Sequence, residues 1–249
     1  MSQPDLSKEY ADSVRLDDEE GVAQVLTQSV LGLWEVVNNL TRLRPVQWRR
    51  FRVTIFGSAR AEPGTMAYEH VTRLARELSA MGCEIVTGGG PGLMQAANEG
   101  AAGAAPDDRE RSIGIRIALD FEQRTNEFVG QAYEHRTFFS RLHHFVLLSH
   151  AFVVVPGGIG TTLEALMIWQ LLQVRKLYGT PLIMVGRMWP GLVEWAREQM
   201  LGVEPHLADP ADFAIPRCVT GIDDAVAVIR EYHDQWVRDR ASRAGEAGR

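Results

Sequence analysis

Between Arg52 and Gly186 the chain alternates short β-rich apolar runs with longer stretches whose apolar residues recur every three or four positions. RVTIFGS (52–58), CEIVTGGG (83–90), SIGIRI (112–117), AFVVV (151–155) and PLIMVG (181–186) have the length and composition of buried strands. Helical periodicity fills 66–81, the stretch opening at Pro91, 137–149, GTTLEALMIWQLLQVRK (160–176), 190–201 and 223–240. The segment FEQRTNEFVGQAYEH (121–135) fits neither period. Ahead of the first strand, Val22, Val25, Leu26, Val30, Leu33, Val37 and Leu40 lie at helical spacing within 19–43. They predict an amphipathic helix that packs on the main domain or on a second subunit.

Strands alternating with helices predict an α/β fold, a doubly wound and mostly parallel sheet with helices on both faces. The expected layout is an acidic leader and amphipathic helix over 1–45, the α/β domain over 46–240 and a disordered tail over 241–249. In such sheets ligands bind beyond the carboxyl ends of strands, where the strand order reverses. Three glycine-bearing segments fall at strand ends, FGSAR, TGGGPG and PGGIGT, and they locate the site. Glycine there lets the backbone turn and approach a ligand, and the helix that follows offers unpaired N–H groups to a phosphate.

The familiar phosphate loops are excluded. No glycine precedes a lysine, so there is no Walker loop, and Gly158-Ile-Gly160 is followed three positions on by Leu163 where the dinucleotide fingerprint needs glycine. Thr161 and Glu164 have capping-box spacing, so Glu164 is either a helix cap or a carboxylate presented to a ligand. Arg141 shares a helix face with Phe138, Phe145 and Leu148, and a charge there needs an anionic partner. His143 and His144, being adjacent, point to different sides of a helix and make a poor metal pair.

The net charge of −6 gives no basic excess for nucleic acid. Cys83 and Cys218 lack metal or redox spacing and read as reduced thiols. The absence of a signal segment and of a long apolar run predicts a cytoplasmic protein without a membrane partner.

In order and spacing, GGGPGLM, FFSR and PGGIGTTLE resemble the LOG ("lonely guy") family of cytokinin riboside 5′-monophosphate phosphoribohydrolases. The likeness is greater to its bacterial Rossmann-fold relatives, often mislabelled lysine decarboxylases, and covers about Arg52 to Gly186. It implies a modified Rossmann fold and hydrolysis of a nucleoside 5′-monophosphate to free base and ribose 5-phosphate. The catalytic pair falls on Arg141 and Glu164. Gly157, Gly158, Gly160 and Thr161 would hold the phosphate, while Gly89, Gly90, Gly92 and Met94 line the nucleotide pocket and Ser58 contributes from the first strand. The resemblance implies no cofactor, no metal, a small-molecule nucleotide as ligand, and a homodimer or larger homo-oligomer. This chain carries Leu142 where the family usually has lysine after the arginine, a departure that favours a non-catalytic nucleotide- or cofactor-binding protein as the alternative. Pyridoxal chemistry needs a Schiff-base lysine, and the two lysines, Lys8 and Lys176, are not at strand ends.

Overall fold

The computed structural model describes residues 14, 17–40, 49–118 and 125–247. Most of the leader, Leu43 of the first expected helix and the end of the tail lie outside the described residues. The chain forms two compact units, 1–47 and 48–249. The first contains helix α1 (Glu19–Leu40), which opens on two glutamates at its positive dipole end. The N–H of Gly21 donates to Asp18 Oδ1 at 3.0 Å.

The second unit is built on seven strands: β1 (Arg52–Phe56), β2 (Glu84–Thr87), β3 (Ser112–Ile117), β4 (Gln131–His135), β5 (Ala151–Val154), β6 (Leu182–Val185) and β7 (Pro216–Val219). They pair in parallel in the order β4-β3-β2-β1-β5-β6-β7. The order runs outward from β1 through β2 to β4, then restarts at β5 and runs the other way. The reversal therefore lies between β1 and β5, and the crevice beyond their carboxyl ends is the expected ligand position.

Parallel strands require crossovers, supplied by α2 (Met66–Ala80), α3 (Leu93–Ala104), α4 (Phe138–Leu148), α5 (Ile159–Gln173) and α6 (Met188–Leu201), with α7 (Ile222–Ala247) closing the chain. Strand periodicity divides the core. Val53, Ile55, Ile85, Val153, Ile183 and Val185 pack with Leu74, Leu78, Ala97 and Ile229 of α2, α3 and α7. Their strand neighbours Phe56, Val86, Phe152, Val154, Leu182 and Met184 pack with Phe145, Ile168 and Trp189 of α4, α5 and α6. Both faces are covered, which is why the central strands read as continuous apolar runs.

Two strands escape the sequence pattern for the same reason. β4 and β7 are the sheet edges, so each is only partly buried. QAYEH alternates intermediate and exposed positions, and PRCV opens on a proline, which an edge tolerates because one row of its backbone groups is unpaired. The tail also differs from expectation: α7 continues to Ala247 through residues placed in a disordered segment. ASRAGEA is rich in alanine, arginine and glutamate, whose helix propensity carries the helix onward.

Candidate active site

The loops following β1 and β5 meet at the strand-order reversal, where the N–H of Ser58 donates to Pro156 O at 3.1 Å. The glycine loop after β2 joins them, with Leu93 N–H donating to Ser58 O at 2.8 Å. Together with α4 these loops enclose a cavity of ≈ 450 Å³, lined by Ser58, Arg60, Met94, Arg141, the residues from Gly158 to Thr161, and Glu164.

Its chemistry centres on Arg141 and Glu164. Arg141 lies one turn into α4, whose start is capped by Thr137 Oγ1 accepting the Ser140 N–H at 3.1 Å. Its Nε donates to the Ile115 carbonyl of β3 at 2.9 Å, and its Nη1 donates to Glu164 Oε1 at 3.1 Å. The guanidinium carbon lies 5.2 Å from the Phe145 ring centroid, so one face rests on an aromatic ring. Both side chains are largely withdrawn from solvent, each 12% exposed. Burial pushes the Glu164 carboxyl up to about 7, against the opposing pull of Arg141. Among the described residues lining the cavity Glu164 is the one carboxylate.

The capping-box expectation for Thr161 and Glu164 is corrected. Helix α5 starts three residues earlier, with Gly158 as a cap that has no side-chain oxygen. Thr161 stands at the third helical position and is buried, with its hydroxyl directly over Gly157, where a Cβ would meet it at 2.2 Å. The N–H groups of Ile159, Gly160 and Thr161 precede the first intrahelical bond, which runs from Thr162 N–H to Gly158 O. A Cβ at Gly158 or Gly160 would meet nothing within 4 Å, and neither residue has positive φ. The fold itself does not require glycine there; a ligand approaching the bare backbone would.

The glycines after β2 divide differently. Gly89, Gly90 and Gly92 do not line the cavity, and neither does Gly157 in the turn after β5. Gly89 lies against Gly114 of β3, and Gly90 offers its carbonyl to Asn126 Nδ2 at 2.9 Å. Gly92, at φ +70, tucks beneath the β1 loop so closely that a Cβ would come within 2.4 Å of Ser58 O. These residues shape the wall behind Met94, which itself reaches the cavity.

Two further contributors carry weaker signals. A Cβ at Gly88 would lie 2.4 Å from Arg141 Nη2 and 2.6 Å from Met94 Sδ, so the glycine makes room for the guanidinium. Asn98, fully buried, accepts from Thr87 Oγ1 at 2.7 Å and from Asn126 Nδ2 at 3.0 Å, and donates to Ser112 Oγ at 2.9 Å. This network fixes the glycine loop to β3 and to the 125–130 segment. An asparagine in an alanine-rich helix was the available signal.

A protein-family model described as "Possible lysine decarboxylase" matches residues 94–230, more than half of the chain. The chain belongs to this family, the LOG family. The pyrimidine/purine nucleotide 5′-monophosphate nucleosidase of Escherichia coli (strain K12) is 30% identical over 125 residues, 48% of this chain and 28% of that protein. The match thus spans little more than a quarter of the relative's length. In structure this LOG-family protein resembles the molybdenum cofactor carrier protein of Chlamydomonas reinhardtii (TM-score 0.53, 16% identity, 74% of this chain and 98% of the other). It likewise resembles the molybdenum cofactor binding protein of Rippkaea orientalis (TM-score 0.55, 16% identity, 74% and 98%). At such identities the likeness is one of fold.

The chemistry that the family's description names does not fit these residues. Lys176 follows the far end of α5, some 15 helical residues from the cavity, and Lys8 lies outside the described residues. No lysine is among the described residues that line the cavity, so it offers no amine for a pyridoxal Schiff base.

Proposed function

We propose that the protein hydrolyses the N-glycosidic bond of a nucleoside 5′-monophosphate, giving free base and ribose 5-phosphate. The observation that carries this reading is the buried Arg141–Glu164 pair facing an uncapped, glycine-bare helix start across one cavity. The helix start suits the phosphate, through three free N–H groups and the positive dipole end. Glu164, one turn further on, then stands beside the ribose.

Cleavage of the bond builds positive charge on the ribose ring. A carboxylate about 4 Å from that charge, at an effective dielectric of about 20, contributes roughly 4 kcal/mol, or about a thousandfold in rate. The ionised Glu164 also accepts the proton of a water molecule that adds to the anomeric carbon while the bonding pair leaves with the base. A carboxyl near 7 is well matched to that proton transfer. Arg141 holds Glu164 in place through one nitrogen and is itself held by the Ile115 carbonyl through another. Phosphate binding remote from the reacting bond fixes the sugar for attack.

The deciding experiment incubates the purified protein with AMP, GMP, CMP, UMP, IMP and isopentenyl-AMP, and follows base and ribose 5-phosphate by chromatography. Base release that Glu164→Gln lowers by about a thousandfold is expected. A second reading, a nucleotide- or cofactor-binding protein without turnover, draws on Leu142 beside Arg141, which brings no second charge. Saturable binding of a nucleotide with no base released from any of them would favour it.

The same proposal includes a cytoplasmic setting and a homodimer. Cys83 and Cys218 are both free thiols. No helix among the described residues is long and apolar enough to cross a membrane. Support for the dimer comes from α5, which buries Ala165, Ile168 and Trp169 against the sheet yet exposes Ile159, Leu163 and Leu166 on another face. Phe138 and Phe139, just before Arg141, are exposed as well. A helix apolar on both sides asks for a second cover.

A further inference from the structure

We propose that Arg60 is the clamp for the ligand's phosphate, closing on it from the loop after β1. The proposal deepens the nucleotide reading above and rests on it. Among the described residues three ionisable side chains line the cavity: Arg60, Arg141 and Glu164. The charge of Arg141 is met by Glu164, and two of its nitrogens are committed. Arg60 stands apart. Its side chain is exposed, and among the described residues no carboxylate pairs with it. With Glu164 ionised the cavity therefore keeps one uncompensated cation, and the helix start of α5 adds a partial positive charge to it.

The backbone that carries Arg60 is built rather than incidental. Its N–H donates to Ser58 Oγ at 3.1 Å, a local turn that fixes where the side chain leaves the loop. Ser58 is tied on both sides, to Pro156 through its N–H and to Leu93 through its carbonyl. Pro156 precedes the glycines of the β5 turn, so these bonds register the Arg60 loop against the N–H groups of Ile159 and Gly160. The open space over Gly158 and Gly160 admits an anion to those groups. A guanidinium offers paired donors whose fork matches two phosphate oxygens.

A phosphate contact of this kind is made in the bound ground state and kept in the transition state, so its loss falls mainly on KM. The test compares wild type, Arg60→Ala and Arg60→Lys by steady-state kinetics with a nucleoside 5′-monophosphate that the wild type turns over. Isothermal titration with AMP, adenosine and inorganic phosphate accompanies the kinetics. For Arg60→Ala the expected results are a KM raised about 10- to 100-fold, kcat within about threefold, weakened phosphate binding and unchanged adenosine binding. Arg60→Lys should recover part of the loss, because the point charge remains without the fork. The thermal midpoint should stay at the wild-type value, since the Ser58 turn uses only the backbone of residue 60.

An unchanged KM in Arg60→Ala, with wild-type turnover intact, overturns the clamp and leaves the hydrolase standing. Equal weakening of AMP and adenosine overturns it too, since the phosphate would then not be what Arg60 reads. If the wild type releases no base but binds AMP, and Arg60→Ala weakens AMP and not adenosine, the clamp holds and the hydrolase reading falls. Wild-type protein that binds neither AMP nor inorganic phosphate overturns both.

Discussion

Glu164 is held in tension between burial and its proposed role. The fold favours its protonated form, having moved the carboxyl from the ordinary value near 4.5 to about 7, whereas charge stabilisation needs the ionised form. Stability from this group is thus complete below about 4.5 and is lost as pH rises through about 7, by about 3 kcal/mol in all. Urea unfolding at pH 5 and pH 8 should show that loss in wild type and not in Glu164→Gln. Activity runs the other way: kcat/KM should rise with pH along a limb centred near 7, which the glutamine variant lacks. His144 does not supply that limb. Burial, reinforced by His135, Arg52 and His143, pushes His144 down to about 4, and burial with Arg141 lowers His135. His144 is therefore neutral across the window.

At the scale of the element, α5 explains what could be read from the chain and what could not. Its apolar run, its glycine turn and Glu164 were legible because strand composition, glycine placement and spacing are local properties. Its starting point was not. Thr161-Thr162-Leu163-Glu164 has the letters of a capping box, but the helix begins at Ile159 because the turn after β5 is set by the sheet and by Ser58. Likewise β4 and β7 hid behind polar and proline residues that only an edge position explains. Arg60, the last residue of FGSAR, gave no sign in the sequence that it lines the cavity with its charge unmet. A glycine inside a helix costs about 1 kcal/mol relative to alanine. Gly160→Ala should therefore stabilise the protein by roughly that amount, there being room for the methyl, while raising KM for the nucleotide at least about tenfold. Thermal unfolding and steady-state kinetics on the same preparation would show the two effects together; a variant more stable and equally active would remove the reason for the glycine.

Over the whole molecule, the strand order places three loops from separate parts of the sequence around one crevice. Ser58, Met94, Arg141 and Glu164 are brought together by the reversal at β1 and β5, by the α3 start and by α4 packing over β3. A larger groove of ≈ 880 Å³ lies between α5 and α6, lined by Leu166, Trp169, Trp195 and Leu207 among others. Its carboxylates Asp209 and Asp212 are occupied in capping a 3-10 turn, whereas the smaller cavity carries the buried Arg141–Glu164 pair. The exposed apolar face of α5 continues into this groove through Leu166. Wild type should therefore run as a dimer in light scattering at micromolar concentration, and Leu166→Glu should shift it to monomer. A wild-type monomer would remove the dimer.

The near absence of lysine has a practical reach. Primary amines, apart from the chain's own N-terminus, occur at Lys8 and Lys176, and Lys176 is exposed beyond the end of α5 opposite the cavity. The intervening helix of 15 residues is roughly 22 Å long. Amine-directed coupling at Lys176 would fasten the protein to a solid support by its far side and leave the crevice open to solution.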